Sequence, residues 1–157
     1  MVNDYFNKYP YVDDTQNYGR FDYWSNRNEL IKNGGDCEDF AIAKYKTLID
    51  IGVNPNKLEL KIVKFKKTYH MILVYDNNKI KYYLDNVEKE LKTKRNDIKI
   101  LFNVKKIEGD SLIEKIAKLQ LEDYKSRNSV LWEIKFNLYI IFKSYNKEIN
   151  DNREYSF

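Results

Sequence analysis

The chain has 157 residues, and this length predicts one domain over residues 1–157 with a real hydrophobic core. Its 28 basic and 24 acidic residues leave a net charge of only +4, so the composition does not indicate a nucleic-acid-binding surface. A single Cys excludes an intramolecular disulfide, and no apolar run reaches transmembrane length. The first residues, MVNDYFNKYPYVDD, lack the apolar core of a signal peptide, which fits either a cytoplasmic protein or a mature domain whose signal has been removed.

The first third of the chain predicts helices. Residues 1–20 predict irregular structure or one short helix, and residues 22–32 predict a short helix that ends before two glycines. A second helix follows, with Asp36 as its N-cap and Gly52 just after its C-terminus, so that Cys37 is its first helical residue. Apolar residues at helical spacing predict a buried stripe on this helix, formed by Phe40, Ala43, Leu48 and Ile51.

The middle of the chain predicts strands. Alternating apolar residues indicate strands at residues 57–65, 68–76, 79–85 and near 97–104, and Asn77-Asn78 predicts a two-residue hairpin loop. A further helix is predicted from residue 110 or 111 to about 127. Residues 129–148 fit either strand alternation or helical spacing, and their length favours a helix. Helices, then a mostly antiparallel sheet, then helices give an α+β fold.

The predicted hairpin places the only His of the chain beside a carboxylate. If Asn77 and Asn78 form the loop, Asp76 pairs with Lys79 and, counting outward, His70 pairs with Asp85. Directly opposed residues share a face of the sheet, with Cβ atoms about 4.5–5.5 Å apart. The register therefore predicts an imidazole–carboxylate pair, although a lone His in a strand is more often structural than catalytic.

Cys37 has the position of a nucleophile. A helix N-terminus and a nearby imidazolium both favour the thiolate form of a cysteine. If the strand that carries His70 packs on the helix start, Cys37 would be the nucleophile, His70 the base and Asp85 the orienting carboxylate.

Three carboxylates surround this thiol in the sequence, on Asp36, Glu38 and Asp39. Negative groups beside a thiol oppose its ionisation, and a bound calcium ion would remove this penalty. Calcium prefers several oxygen ligands, which clustered carboxylates supply. Helix capping and the helix dipole explain the same three acids without any metal, so the spacing alone leaves both interpretations open.

Several segments resemble a known family. The segments are FNKYPYVDD (6–14), DYWSNRNELIKNGGDCEDFAIAKYKTLIDIGV (22–53), HMILVY (70–75) and LDN (84–86). In these segments the chain resembles bacterial transglutaminase-like cysteine proteases of the LapG type, which are periplasmic enzymes that process surface adhesins. The combination of GGDCEDFAIAKY with HMILVY and LDN is a specific pattern.

The resemblance implies a papain/transglutaminase-like fold, in which the nucleophile lies at the N-terminus of a buried helix packed on a small antiparallel sheet. It implies Cys37, His70 and Asp85 as the catalytic residues, the same three that the hairpin register suggests. In related folds a Trp upstream of the Cys helps to stabilise the oxyanion, which makes Trp24 a candidate for that role. The family depends on calcium, and the resemblance implies ligands in the acidic segment: Asp36, Glu38 and Asp39.

The resemblance also implies a biological setting. It implies a periplasmic endopeptidase that cleaves a large surface adhesin near its N-terminal retention module, and so controls biofilm attachment and release. The implied partner is an inner-membrane receptor for cyclic di-GMP, which sequesters the protease through its periplasmic domain. Nucleic acid and direct membrane insertion are not implied. Two alternatives stay open, a transamidase and a catalytically silent transglutaminase-like binding module.

Overall fold

The computed structural model describes residues 1–20 and 23–104, so the helices predicted within residues 110–148 lie outside the described residues. The helices are α1 (Val2–Phe6), α2 (Asp14–Tyr18), α3 (Arg27–Asn33) and α4 (Cys37–Asp50), followed by a 3-10 turn at Pro55–Lys57. The strands are β1 (Leu58–Phe65), β2 (Thr68–Asp76), β3 (Lys81–Leu84) and β4 (Ile98–Asn103). None of the helices in this part of the chain has the length and apolarity of a membrane span. The predicted α+β class is confirmed.

The helix predicted over residues 22–32 is shorter than expected. It begins only at Arg27, because Asn26 caps it: its Oδ1 accepts from the N–H groups of Asn28 (2.9 Å) and Glu29 (3.1 Å). Glu29 Oε2 in turn accepts from the N–H of Asn26 at 2.9 Å, which completes a capping box. The N-terminal twenty residues form two short helices, α1 and α2, where at most one was expected.

Helix α4 has the predicted ends. Asp36 is its N-cap, Cys37 is its first residue, and Gly52 follows it with φ of +92°. The N–H of Gly52 donates to Ile49 O (2.9 Å) and that of Val53 to Leu48 O (2.9 Å), which is the hydrogen-bond pattern of a Schellman motif.

The predicted stripe on α4 is correct only at its N-terminal end. Phe40 and Ala43 are buried, Leu48 is half-buried, and Ile51 is 66% exposed because it caps the helix C-terminus beyond the edge of the core. The helix is instead buried on two sides. Phe40 and Ala43 pack with residues of α1 and α3, whereas Ala41, Ile42 and Tyr45 pack against the sheet.

The four strands form one antiparallel sheet in the order β3-β2-β1-β4. One face covers α4 with residues from three strands: Leu58, Leu60, Ile62, Met71, Leu73 and Leu84. Strands β1 and β2 pair over their whole length, so the strand that carries His70 lies in the middle of the sheet. This arrangement brings the start of α4 to the central strand.

The hairpin between β2 and β3 has a different loop from the predicted one. Asp76 pairs with Lys81 rather than Lys79, so the loop spans residues 77–80. Asn77 explains the longer loop, because its Oδ1 accepts from the N–H groups of Lys79 (3.0 Å) and Ile80 (2.8 Å). The predicted direct pairing of His70 with Asp85 is therefore wrong as a register. A shift of two residues keeps every side chain on its predicted face.

Candidate active site

Cys37 lies where the N-terminus of α4 meets strand β2. Its Sγ accepts a hydrogen bond from the backbone N–H of Met71 at 3.4 Å, and its thiol donates to Glu38 Oε2 at 3.1 Å. The side chain is half-buried at the edge of the core. A thiol at the first turn of a buried helix, accessible on one side, has the position of a nucleophile.

Two glycines bring the chain into this position. Gly34 has φ of +76°, a conformation that disfavours L side chains, and a Cβ there would approach Pro10 O to 2.6 Å. A Cβ on Gly35 would overlap the carboxylate of Asp39. The turn before Cys37 therefore needs both glycines, one for its dihedral angle and one for its close packing.

Asp39 has a structural role in the described residues, although it was predicted as a calcium ligand. Its Oδ1 accepts from the N–H of Ser25 at 2.6 Å, and its Oδ2 accepts from the N–H of Asp36 at 3.2 Å. The side chain is fully buried. It therefore ties the segment before α3 to the first turn of α4.

His70 and Asp85 form a buried ion pair. His70 Nε2 lies 2.6 Å from Asp85 Oδ1. Burial lowers the pKa of His70, but hydrogen bonds to Asp85 and Cys37 more than offset this effect and raise the pKa to about 10. Since Asp85 occupies Nε2, Nδ1 is the ring nitrogen that is left for the thiol. The predicted residues come together through a diagonal contact rather than a direct cross-strand pair.

Asp85 accepts hydrogen bonds at both oxygens. Oδ1 accepts from the N–H of Val87 at 2.9 Å, in addition to His70, and Oδ2 accepts from Arg95 Nη1 at 2.7 Å. Burial raises the pKa of Asp85, but the hydrogen bond and charge of His70, with those of Arg95 and Val87, lower it well below its usual range. Asp85 therefore stays a carboxylate in the folded protein.

Two polar side chains, the half-buried Asn7 and the buried Lys44, also hold the backbone at Asp85. Asn7 Nδ2 donates to the carbonyl oxygen of Asp85 at 2.8 Å, and Asn7 Oδ1 accepts from Lys44 Nζ at 2.7 Å. Lys44 is fully buried, and its desolvation lowers its pKa to about 7 in spite of the charge of Asp85. Helix α1 thus fixes the loop that follows β3.

An acidic cluster adjoins Cys37. Among the residues that the structure describes, Asp14, Asp36 and Glu38 each offer a carboxylate oxygen within 4.8 Å of the others. Oxygens that share one calcium ion at 2.3–2.6 Å are separated by no more than about 5 Å, so the three groups fit that ion. Two predicted ligands, Asp36 and Glu38, are in the cluster, and Asp14 takes the place expected for Asp39.

The chain segment before α2 carries Asp14 to this cluster. Val12 N–H donates to Gly35 O at 3.0 Å, and Gly35 N–H donates to Pro10 O at 3.3 Å. These bonds form a parallel bridge between Tyr11 and Gly35. The negative charges of the site reach Tyr11: its pKa is raised by burial first and then by Cys37 and Asp36.

Trp24, predicted as a residue that stabilises the oxyanion, is half-buried against the same core cluster as Cys37. Its role in catalysis stays a prediction. Asp14 and Arg95 were not among the residues predicted for the site. Asp14 belongs to a segment with a recognised resemblance, but Arg95 lies in the basic stretch KTKRND, which gives no signal of its own.

A family model matches residues 1–102, that of the bacterial transglutaminase-like cysteine proteinases. This match covers most of the chain and includes every residue of the site. The chain belongs to the bacterial transglutaminase-like cysteine proteinase family. The resemblance noted in the sequence is thereby confirmed, and so is a transglutaminase-like fold in which Cys37 begins a helix packed on an antiparallel sheet.

Solved structures of LapG from Legionella pneumophila resemble this transglutaminase-like proteinase. The calcium-bound form is 28% identical with a TM-score of 0.58, and the match covers 73% of this chain and 76% of that one. The EGTA-treated form is 32% identical with a TM-score of 0.56, and the match covers 65% of this chain. The chain spans only 59% of the length of that structure. A search of curated proteins gives no match.

Proposed function

We propose that the protein is a calcium-dependent cysteine endopeptidase with Cys37 as nucleophile, His70 as general base and acid, and Asp85 as the orienting carboxylate. The observation that carries the proposal is the buried His70–Asp85 pair, with Nε2 2.6 Å from Oδ1, beside Cys37, which is near enough to raise the pKa of His70. Membership of a cysteine proteinase family supports the same assignment.

Each group has a defined task in this proposal. His70 holds the proton of the thiol as an imidazolium, and the Cys37 Sγ thiolate attacks the carbonyl carbon of the scissile peptide bond. Asp85 stabilises the imidazolium that forms and holds the ring with Nδ1 toward the thiol. His70 then gives the proton to the leaving amine, and water hydrolyses the acyl-enzyme. The backbone N–H of Cys37 and the indole of Trp24 are the proposed oxyanion donors.

Asp14, Asp36 and Glu38 are the proposed calcium ligands. The calcium-bound LapG neighbour supports this assignment, as does the close approach of the three oxygens. A bound calcium ion would offset the repulsion among three carboxylates and the thiolate that forms beside them. Glu38 also accepts a hydrogen bond from the thiol, so its two roles compete for one carboxylate.

The proposed substrate is a large surface adhesin, cut near its N-terminal retention module. The proposed setting is the periplasm, where an inner-membrane receptor for cyclic di-GMP would sequester the protease through its periplasmic domain. Cleavage of the adhesin would then control biofilm attachment and release. The family resemblance and the LapG neighbours support this part of the proposal.

The first test is the rate at which iodoacetamide alkylates Cys37 as a function of pH, with calcium and with a chelator. The chain has one Cys, so every alkylation event reports on the site. We expect fast alkylation below pH 7 that is lost in His70→Ala and reduced by the chelator. Alkylation that follows an ordinary thiol, with a midpoint near pH 8.5, in both conditions would contradict the proposed triad.

Cleavage of an N-terminal adhesin fragment is the second measurement. Wild-type protein should cut the fragment, and Cys37→Ala should not cut it while it keeps its circular dichroism spectrum. For the metal site, Asp14→Asn should weaken calcium binding as strongly as Asp36→Asn, whereas binding that is unaffected by Asp14→Asn would remove Asp14 from the ligand set.

A further inference from the structure

Arg95 occupies a position that the triad alone does not explain. Its guanidinium donates to two carboxylates at once, through Nη1 to Asp85 Oδ2 at 2.7 Å and through Nε and Nη2 to Asp97 at 2.7 and 2.9 Å. The Arg95 side chain is only 2% exposed. An Arg side chain that is withdrawn from solvent and donates to two carboxylates restricts the orientation of the one that belongs to the site.

The two carboxylate oxygens of Asp85 accept hydrogen bonds from different partners. Oδ1 serves His70 and the N–H of Val87, and Oδ2 serves Arg95. Rotation of the Asp85 carboxylate would break the bonds on both sides, so Arg95 fixes the oxygen that faces His70. Asp97 forms a two-point contact with Arg95 and thereby fixes the plane of the guanidinium.

The ring of Phe65 completes the environment of Arg95. The guanidinium carbon lies 5.6 Å from the Phe65 ring centroid, and the same ring lies 6.4 Å from the His70 ring. Phe65 ends strand β1 and pairs with Thr68 at the start of β2. Arg95 is thus held on the aromatic side chain that also flanks the imidazole.

We propose that Arg95, oriented by Asp97, is a positioning residue that locks the Asp85 carboxylate toward His70 and so sets the reactivity of Cys37. This inference rests on the proposed function. It adds Arg95 and Asp97 to the proposed triad, and it extends the hydrogen-bonded chain of imidazole and carboxylate to a guanidinium and a second carboxylate.

The test compares Arg95→Ala and Arg95→Lys with Arg27→Ala as the matched control. Arg27 also pairs with an aspartate, Asp50 at 2.5 Å, but its side chain is 39% exposed and none of its recorded contacts reaches the site. The readouts are the alkylation rate of Cys37 at one fixed pH and the imidazole N–H proton signal of the single His in the NMR spectrum.

We expect Arg95→Ala to slow alkylation about 10- to 100-fold, the range found for partners that orient metal-bound histidines. Millimolar guanidinium should restore much of the rate, because it can occupy the space left between Asp85 and Asp97. Arg27→Ala should react like the wild type, with or without guanidinium. A wild-type rate in Arg95→Ala, with an unchanged His70 N–H signal, would overturn the proposal.

If the alanine variant does not fold, Arg95→Lys still tests the proposal. A lysine retains the charge but cannot bridge both carboxylates with a planar fork, so a slower reaction and a shifted His70 N–H signal are expected. A wild-type rate and signal in Arg95→Lys would overturn the proposal. If wild-type Cys37 reacts as an ordinary thiol, the triad and the role of Arg95 are both wrong. If the wild type reacts fast and the Arg95 variants equally fast, only the role of Arg95 is wrong.

Discussion

Two buried cationic side chains near Asp85, His70 and Lys44, behave in opposite ways. His70 contacts the Asp85 carboxylate, whereas Lys44 contacts the side-chain oxygen of Asn7, which in turn binds the Asp85 backbone. Burial lowers the pKa of both groups, yet the pKa of His70 is raised to about 10 and that of Lys44 is lowered to about 7.

The partner decides this difference. A carboxylate at 2.6 Å compensates the desolvation of a cation, and an amide at 2.7 Å does not. The His70 side of Asp85 is therefore arranged to hold a charge, as a thiolate–imidazolium mechanism requires, while the Lys44 side is arranged to hold the backbone in place. Substitutions of Asp85, Lys44 and His70 test this contrast, and Arg27→Ala extends it to an exposed pair, from the largest expected effect to the smallest.

Asp85→Asn should convert the environment of His70 into one like that of Lys44. With burial retained and an amide as partner, the pKa of His70 should fall below its ordinary value of 6.5. Turnover should fall by about 10⁴-fold, as when the aspartate of a Ser-His-Asp triad is amidated. NMR titration of the single His measures the first effect. A variant whose His70 is still protonated above pH 8 would refute the contrast.

Lys44→Met should reveal a pH dependence of stability that is partly cancelled in the wild type, because His70 and Lys44 contribute with opposite signs. Since the folded-state pKa of His70 is raised, its stabilising contribution is complete below about pH 6.5 and is lost as pH rises through about 10. Since the folded-state pKa of Lys44 is lowered, the unfolded chain binds more protons between about pH 7 and 10.5, and stability rises there. The two trends oppose each other.

Removal of Lys44 should therefore make the free energy of unfolding fall, relative to the wild type, by about 1 kcal/mol per pH unit between pH 7 and 10. Urea unfolding at a series of pH values measures this difference, and His70→Asn should change the slope in the opposite direction. If the plots of unfolding free energy against pH run parallel for Lys44→Met and the wild type, Lys44 is protonated in the folded protein throughout this range.

Arg27→Ala should have the smallest effect, because both members of its ion pair with Asp50 are substantially exposed. Exposed pairs contribute up to about 1 kcal/mol and are screened by salt. Urea unfolding at low and high ionic strength measures the loss, which should shrink as salt is added. A larger loss of unfolding free energy that salt does not reduce would mean that the Arg27–Asp50 pair contributes as much as a buried ion pair in spite of its exposure.

Features of the candidate site that depend on neighbouring residues could be predicted from the sequence. The Asp36 cap, the glycines before it and the glycine after α4 act within one or two turns, so the start and end of that helix could be predicted from adjacent residues. The register of the β2–β3 hairpin was missed by two residues because the Asn77 side chain stabilises a longer loop. The His70–Asp85 contact was nevertheless anticipated, since an even shift leaves the faces unchanged.

The remaining contacts of the site join residues that are distant in sequence. Asp39 was predicted as a calcium ligand, and in the structure its carboxylate accepts hydrogen bonds from the backbone N–H groups of Ser25 and Asp36. Asp14 joins the acidic cluster because the segment before α2 pairs with Gly35. No local feature marks Arg95, whose partners include Asp85, ten residues away and fully buried.

The sequence by itself determined the α+β order of elements, the position of Cys37 at the start of α4, and the single His and its carboxylate partner, because capping, periodicity and strand alternation act over a few residues. Only the tertiary structure decided which acid joins the acidic cluster, which residue donates to Asp85 Oδ2, and why the pKa of one buried cation is raised while that of the other is lowered. Those outcomes depend on which polar and charged groups are buried next to one another, and the path of the whole chain determines this.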